Sequence, residues 1–161
     1  MHKSQSNENI FISSISIAVS LSMTYNGAGG KTQEAMAKTL NFQGMSLEEI
    51  NQANQDLGTL LNILNPEIKL NIANSIWAKK GISFYRSFLQ VNQDFYQSQV
   101  RKINFNDPES VKIINNWVKD KTEGKIDEII QKLSPNYVML LLNAIYFKAD
   151  WQKEFPEKST Q

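Results

Sequence analysis

The feature that most constrains this chain is an apolar run over residues 138–147, which is interrupted by one asparagine, Asn143. Such a run, bounded here by Ser134 and Pro135 on one side and Lys148 on the other, is typical of a central strand buried on both faces. A buried amide without a partner costs about 1–3 kcal/mol, so the fold must supply hydrogen bonds for it. We therefore predict a buried central strand whose asparagine belongs to a polar network.

The segments before this run predict alternating helices and strands. Apolar residues at three- and four-residue steps after Ser46 predict an amphipathic helix over residues 47–64. The polar residues assigned to the outer face of that helix are Glu48, Glu49, Asn51 and Asp56. Apolar and polar residues then alternate over 68–76, which predicts a half-buried strand.

A second helix has clear start and stop signals. Asp107 followed by Pro108 marks its beginning, and Gly124 is a natural stop. The residues predicted to form its buried stripe, lying across the face of a sheet, are Ile114, Trp117 and Val118. The whole chain is predicted as helix, helix, helix, strand, helix, strand, helix, strand. This order is a mixed α/β fold without internal repeats.

Composition restricts the classes of partner. The 161 residues are 41% apolar and 20% charged, which is ordinary for a soluble globular domain, and nothing signals a second domain. Lys and Arg total 17 against 16 Asp and Glu, so the net charge of +1 offers no general attraction for nucleic acid or an anionic membrane. Cysteine is absent, so no disulfide or thiolate metal site can form. Because the net charge is close to zero, partners must be recognised by shape.

Two short motifs resemble signals of other kinds. The apolar stretch over 10–23 resembles a signal peptide, but serines dilute it and Glu8 stands where a basic flank is expected. A short strand over 10–12 that leads into a buried helix explains the same residues. The glycine-rich segment over 27–32 resembles a phosphate-binding loop without its spacing. A turn between two helices accounts for it.

The sequence offers little for catalysis. The one histidine, His2, is too near the N-terminus to complete a Ser-His-Asp arrangement or a histidine-based metal site. The carboxylate pairs Glu48 with Glu49 and Asp120 with Glu123 fall on polar helix faces. We therefore expect no enzyme activity, no catalytic residues, no cofactor and no metal.

Several motifs in order along the chain resemble those of serpins, the serine-protease inhibitors. They are NIFIS at 9–13, GA at 27–28, IANSIWA at 72–78, INNWV at 114–118, TEGKI at 122–126 and NAIYFKADW at 143–151. The resemblance implies the N-terminal half of a serpin, truncated at both ends. It would form a partial serpin domain over residues 9–161, with several helices and three strands of the large β-sheet, behind a mobile leader remnant over residues 1–8. Ser14 and Ala149 stand where the family usually has proline and glycine.

The resemblance gives a role to three polar residues. On the residues alone, Ser13 and Ser16 are a helix cap, and Asn143 is a core amide with satisfied hydrogen bonds. By similarity to serpins, Ser13, Ser16 and Asn143 belong to the shutter, a buried polar cluster beneath the large sheet that governs whether its central strands part. We accordingly predict that Asn143 is buried and hydrogen-bonded toward residues 13–16.

The tryptophans have two interpretations as well. On composition alone, Trp77, Trp117 and Trp151 are expected in the core. By resemblance, Trp151 corresponds to a tryptophan in the sheet-opening region, at the top of the large sheet where an inserting loop first enters.

The function implied by the resemblance is a physical trap for proteases. A protease cleaves an exposed reactive loop, which inserts as a new strand beside residues 138–147. The implied activity is suicide-type inhibition of a serine-type endopeptidase, with a target serine (or cysteine) protease as partner and the reactive bond outside this chain. The alternative is a non-inhibitory serpin-like carrier, chaperone or structural partner. An extracellular location is favoured, self-association through an open sheet edge is expected, and neither nucleic acid nor membrane is expected as a partner.

Overall fold

The computed structural model describes residues 12–63 and 68–151. The elements in these residues are α1 Ser14–Tyr25, α2 Gly30–Leu40, α3 Leu47–Ile63, β1 Lys69–Lys79, α4 Arg86–Tyr96, β2 Gln99–Ile103, α5 Pro108–Lys121 and β3 Met139–Lys148. The order predicted from the sequence is confirmed. Apart from Ile12, the strand predicted over 10–12 and the leader over 1–8 lie outside the described residues.

Local hydrogen bonds explain where two helices begin. At α3, the Ser46 hydroxyl accepts from the Glu49 amide at 3.2 Å, and the Ser46 amide donates to the Glu49 carboxylate at 2.7 Å. This reciprocal capping box satisfies free amides of the first turn, and the bond from the Ser46 backbone lowers the pKa of Glu49. At α5, the Asp107 carboxylate accepts from the Glu109 amide at 3.0 Å, and Pro108 occupies the first turn.

The described strands form one sheet in the order β2-β1-β3. β1 pairs in parallel with β2 and antiparallel with β3, from Lys69 opposite Lys148 to Ala78 opposite Met139. The prediction that residues 138–147 form a central strand buried on both faces is therefore wrong for the described part of the chain. β1 is the central strand, and in β3 only Ala144 is buried. Burial differs because β1 has a strand on both sides, whereas β3 has one described neighbour.

Helix α5 covers one face of the sheet. The buried residues of this face are Trp77, Ile103, Phe105, Ile114, Trp117, Val118 and Ala144. The rings of Trp77 and Trp117 meet edge to face, with centroids 6.1 Å apart and planes at 82°. The predicted stripe of Ile114, Trp117 and Val118 is thus confirmed as the surface by which α5 packs on the sheet.

Helices α1 and α4 cover the opposite face. The buried residues Met23, Ile76 and Tyr96 form its centre, surrounded by half-buried side chains such as Val19, Phe88 and Leu141. Side chains along β3 alternate between the two faces, since Leu140 and Leu142 pack on the α5 side while Met139 and Leu141 pack on the α1 side. This alternation places Asn143 on the α1 side.

Candidate functional site

The N-terminus of α1 lies against β3. The helix starts because Ser13 has an extended backbone and its hydroxyl accepts from the Ser16 amide at 3.3 Å. Ser14 is the first residue of the helix that Ser13 caps. Ser16 lies in the first turn, and its hydroxyl donates to Oδ1 of Asn143 on β3.

Asn143 also makes a cross-strand pair. It stands directly opposite Asn74 of β1, and its Nδ2 donates to the Asn74 Oδ1 at 2.7 Å. The Asn74 Nδ2 in turn donates to the backbone carbonyl of Tyr96, the last residue of α4, at 3.0 Å. Ser16, Asn143, Asn74 and the Tyr96 carbonyl therefore form a continuous chain of hydrogen bonds, which we call the sheet relay. It ties β3 to α1, to β1 and to the end of α4.

The three residues predicted as a polar cluster are brought together in part. Ser16 and Asn143 are in direct hydrogen-bonding contact, whereas Ser13 reaches them through the Ser16 backbone. The prediction that Asn143 is buried is wrong, because the residue is half-buried. Its place on an edge strand of the described sheet explains this, since no described strand covers the outer side of β3.

Trp151 lies apart from the sheet relay. Its side chain is 72% exposed, and it follows the end of β3 at Lys148. The expectation that all three tryptophans are core residues is therefore correct for Trp77 and Trp117 and wrong for Trp151. The apolar pattern of the strand ends at Phe147, and residues 148–151 belong to neither core.

The sequence reasoning missed a second polar group, next to the sheet relay. The Tyr96 hydroxyl donates to the Asn51 Oδ1 at 2.7 Å, and the Asn51 and Asn26 side-chain amides exchange hydrogen bonds at 2.8 and 2.9 Å. We call Asn26, Asn51 and Tyr96 the helix junction, because they join α1, α3 and α4. Burial raises the pKa of Tyr96 to about 12, and hydrogen bonding within the group opposes that rise.

The helix junction corrects one assignment and links two networks. Asn51 was placed on the outer face of α3, but it is only 2% exposed. Its partners come from α1 and α4, which a periodicity within α3 cannot reveal. Tyr96 belongs to both groups, through its carbonyl to the sheet relay and through its hydroxyl to the helix junction. Asn74 could have been found from the sequence, because it is an asparagine within the largely apolar IANSIWA motif.

Residues 12–63 and 68–151 contain neither a metal-ligating cluster nor a membrane-spanning helix. In that part of the chain, no group of three or more His, Cys, Asp or Glu side chains is placed to hold a metal ion. Within the same residues, no helix combines the length and the apolar character needed to cross a membrane.

The whole sequence matches a known family. The family model described as serpin (serine protease inhibitor) matches residues 1–161. Serpin B6 from Macaca fascicularis is 35% identical over 159 residues, which cover 96% of this chain and 42% of that protein. Serpin B11 from Mus musculus is 32% identical over 169 residues, which cover 95% of this chain and 44% of that protein.

Solved structures of serpins share the fold. The thermophilic serpin Tengpin in its native state superposes with a TM-score of 0.82 and 38% identity, over 98% of this chain and 40% of that one. Human glycosylated kallistatin has a TM-score of 0.84 with 28% identity, over 96% of this chain and 42% of that one. A loop C-sheet serpin polymer has a TM-score of 0.82 with 39% identity. The chain spans less than half the length of the relatives it matches.

Proposed function

The chain belongs to the serpin family, and from this membership we propose that it supplies the N-terminal part of a suicide-type inhibitor of serine-type endopeptidases. The proposed serpin portion covers residues 9–161, preceded by a leader over residues 1–8. The partner of the whole protein would be a serine or cysteine protease. Residues 1–161 would contribute scaffold rather than enzyme chemistry, since their one histidine is His2.

The observation that carries this proposal is the sheet relay. Reactive-loop insertion requires that one strand of the large sheet stays fixed while its neighbour moves away. Asn143 holds β3 in place through two hydrogen bonds. Its Nδ2 donates to Asn74 on β1, and its Oδ1 accepts from the Ser16 hydroxyl on α1. We propose that the whole protein places a further strand beside β3, and that the cleaved loop enters between the two. Ser13, Ser16 and Asn143 would then act as the shutter.

The sheet relay also favours one place for the sheet to open, on the outer side of β3 and not between β3 and β1. A proposed strand that separates from β3 on its outer side would leave both Asn143 bonds in place, whereas β3 leaving β1 would break ten register pairs and the bond from Asn143 to Asn74. Each buried polar group left without a partner costs about 1–3 kcal/mol. The proposed opening therefore leaves the described sheet intact. Trp151, which follows the end of β3, is proposed to border the entrance for the loop.

The inhibitory part of the proposal is tested with the full-length protein. It is mixed with trypsin-like and chymotrypsin-like proteases, and the mixtures are separated under denaturing conditions. We expect a covalent complex that resists SDS with at least one protease. Cleavage of the protein by every protease without such a complex would instead identify a non-inhibitory serpin, acting as a carrier, chaperone or structural partner.

The relay is tested by Asn143→Ala in the same protein. This change leaves the Ser16 hydroxyl and the Asn74 Oδ1 without their hydrogen-bond partner, so we expect a lower melting temperature and faster polymerisation at elevated temperature. Asn136→Ala is the matched control, because Asn136 is exposed just before β3. Equal melting temperatures and polymerisation rates for the two variants would refute the shutter role.

The open edge of β3 supports a further proposal about self-association. Its backbone groups on the outer side have no described strand partner, and such an edge pairs with other extended chains. We propose that residues 1–161 alone associate with one another or with a loop-like peptide. Light scattering should show assemblies larger than a monomer at concentrations on the order of tens of micromolar. A monodisperse monomer would exclude this association.

A further inference from the structure

Asn26 and Gly27 lie next to each other where α1 ends. In an Asn-Gly pair the glycine has no side chain to shield its amide nitrogen, so that nitrogen can reach the asparagine side chain most easily. The reaction that follows is deamidation. Asn26 is therefore the asparagine of this chain most prone to deamidation by its sequence, and it belongs to the helix junction of Asn26, Asn51 and Tyr96.

The fold requires an amide at position 26. Its Nδ2 donates to the Asn51 Oδ1 at 2.8 Å and to the Ser22 carbonyl at 3.2 Å, and its Oδ1 accepts from the Asn51 Nδ2 at 2.9 Å. Both partners of the Nδ2 are acceptors. A carboxylate in this place would lose two donated bonds and face two oxygen atoms, Asn51 Oδ1 and the Ser22 carbonyl.

Glycine at position 27 avoids a close contact with α4. A Cβ atom there would lie 2.9 Å from Cε2 and 3.0 Å from Cδ2 of the Phe88 ring on α4. Contacts this short do not occur with real side chains, so Phe88 would have to move. The labile pair therefore meets two local constraints, because the hydrogen bonds with Asn51 favour an amide at position 26 and the Phe88 ring favours glycine at position 27.

The closed junction protects the pair. Deamidation starts when the Gly27 nitrogen attacks the Asn26 Cγ, and ring closure requires the ψ angle of asparagine to leave the helical range. Asn26 has φ −60° and ψ −20°, and the Gly27 amide donates to the Thr24 carbonyl at 3.0 Å. Both reacting groups are therefore engaged in hydrogen bonds, and the backbone is in an unreactive conformation.

We propose that Asn26 is a modification site that deamidates without an enzyme when the helix junction opens. The Gly27 nitrogen forms a bond to the Asn26 Cγ, the bond from Cγ to Nδ2 breaks, and the Gly27 proton leaves with that nitrogen as ammonia. Water then opens the succinimide ring at either carbonyl, which leaves an aspartyl or an isoaspartyl residue. No oxidant or reductant takes part.

The reaction weakens the closed junction. The new carboxylate cannot donate to Asn51 or to the Ser22 carbonyl, and burying an unpaired charge is costly. Asn51 also accepts from the Tyr96 hydroxyl, so its displacement loosens α4 as well as α1. The deamidated chain therefore closes the junction with fewer hydrogen bonds, and its packed state is less stable than the original one. The deamidation proposed at Asn26 does not depend on whether the protein inhibits proteases.

The test compares the rate of deamidation at Asn26 in the folded full-length protein with the rate in urea, both at mildly alkaline pH. Peptide mapping by mass spectrometry measures total conversion, and isoaspartyl methyltransferase labels the isoaspartyl product. We expect the folded protein to react at least about tenfold more slowly, because only open molecules react. Equal rates in the two conditions, or no reaction in urea, would overturn the proposal.

A junction variant tests the cause of protection. Asn51→Ala removes the partner of Asn26 and leaves the Asn-Gly pair intact, so the folded variant should deamidate several-fold faster. Tyr96→Phe is the milder alternative if Asn51→Ala fails to fold. Asn106, which is exposed, is the internal reference whose rate should not change. An unchanged rate at Asn26 in a folded variant would exclude the junction as the protecting element.

The consequence of the reaction is tested with Asn26→Asp, which reproduces one product directly. We expect a lower melting temperature than in the unmodified protein, because the carboxylate faces the Asn51 Oδ1 and the Ser22 carbonyl. A melting temperature equal to that of the unmodified protein would show that the modification does not disturb the junction.

Discussion

Replacing Trp117 with alanine tests the packing of α5 on the sheet. The side chain is 7% exposed, its ring meets that of Trp77 edge to face, and its Nε1 donates to Gln99 Oε1 at 2.8 Å. Truncation of a buried tryptophan costs about 3–5 kcal/mol, because burial is lost and a cavity is left. The free energy of unfolding of a domain is typically about 5–15 kcal/mol, so the Trp117→Ala variant should unfold at a far lower urea concentration than the unmodified protein.

A second substitution divides this cost into packing and hydrogen bonding. Trp117→Phe keeps an aromatic ring against Trp77 but removes the donor to Gln99. The lost hydrogen bond costs about 0.5–1.5 kcal/mol, and the smaller ring adds the cost of a partial cavity. Trp117→Phe should therefore lie between the unmodified protein and Trp117→Ala in its free energy of unfolding.

Equilibrium unfolding in urea, followed by far-ultraviolet circular dichroism, measures both changes. Trp151→Ala is the control, because it removes the same side chain at a position that is 72% exposed. Exposed substitutions usually change the free energy of unfolding by less than about 1 kcal/mol. If Trp117→Ala cost no more than Trp151→Ala, the proposed packing of α5 would have to be abandoned.

Three further changes test separate elements. Asp107→Ala should lower the free energy of unfolding by about 1 kcal/mol in urea titrations, because the Glu109 amide loses its acceptor. Burial raises the pKa of Tyr96 to about 12, so the stability it contributes is complete below about pH 10 and is lost as pH rises through 12. Tyr96→Phe should remove that part of the alkaline loss of melting temperature. Gly27→Ala should lower the melting temperature, because its methyl group would collide with Phe88, and unchanged melting would show that the ring yields freely.

The order of helices and strands could be predicted because its signals are local. Ser46 and Asp107 cap helices with hydrogen bonds to residues two or three positions away, and such pairs are visible in the sequence. The stripe of Ile114, Trp117 and Val118 follows from helical spacing alone. The family resemblance added the fold, which local patterns do not determine.

Features that depend on partners distant in the sequence were not predicted. An apolar run indicates a strand, but its burial depends on which strands lie beside it, so β3 was assigned to the centre of the sheet. Asn51 is polar and was placed outside, whereas its partners Asn26 and Tyr96 bring it into the interior. Trp151 was expected in the core because tryptophan is usually buried, but the chain has left the sheet by that position.

The pairing of Asn143 with Asn74 explains how β3 can offer a fixed edge to another strand. A shift of β3 by one residue would turn Asn143 toward the α5 face, where Trp117 packs, and would leave Asn74 and Ser16 without their partner. Each polar group stranded in this way costs about 1–3 kcal/mol, so the register is strongly determined even though β3 is largely apolar on both faces. Because the register is fixed, the backbone groups on the outer edge of β3 stand at constant positions. A strand that adds to this edge, as proposed above, would therefore meet backbone donors and acceptors in a single register.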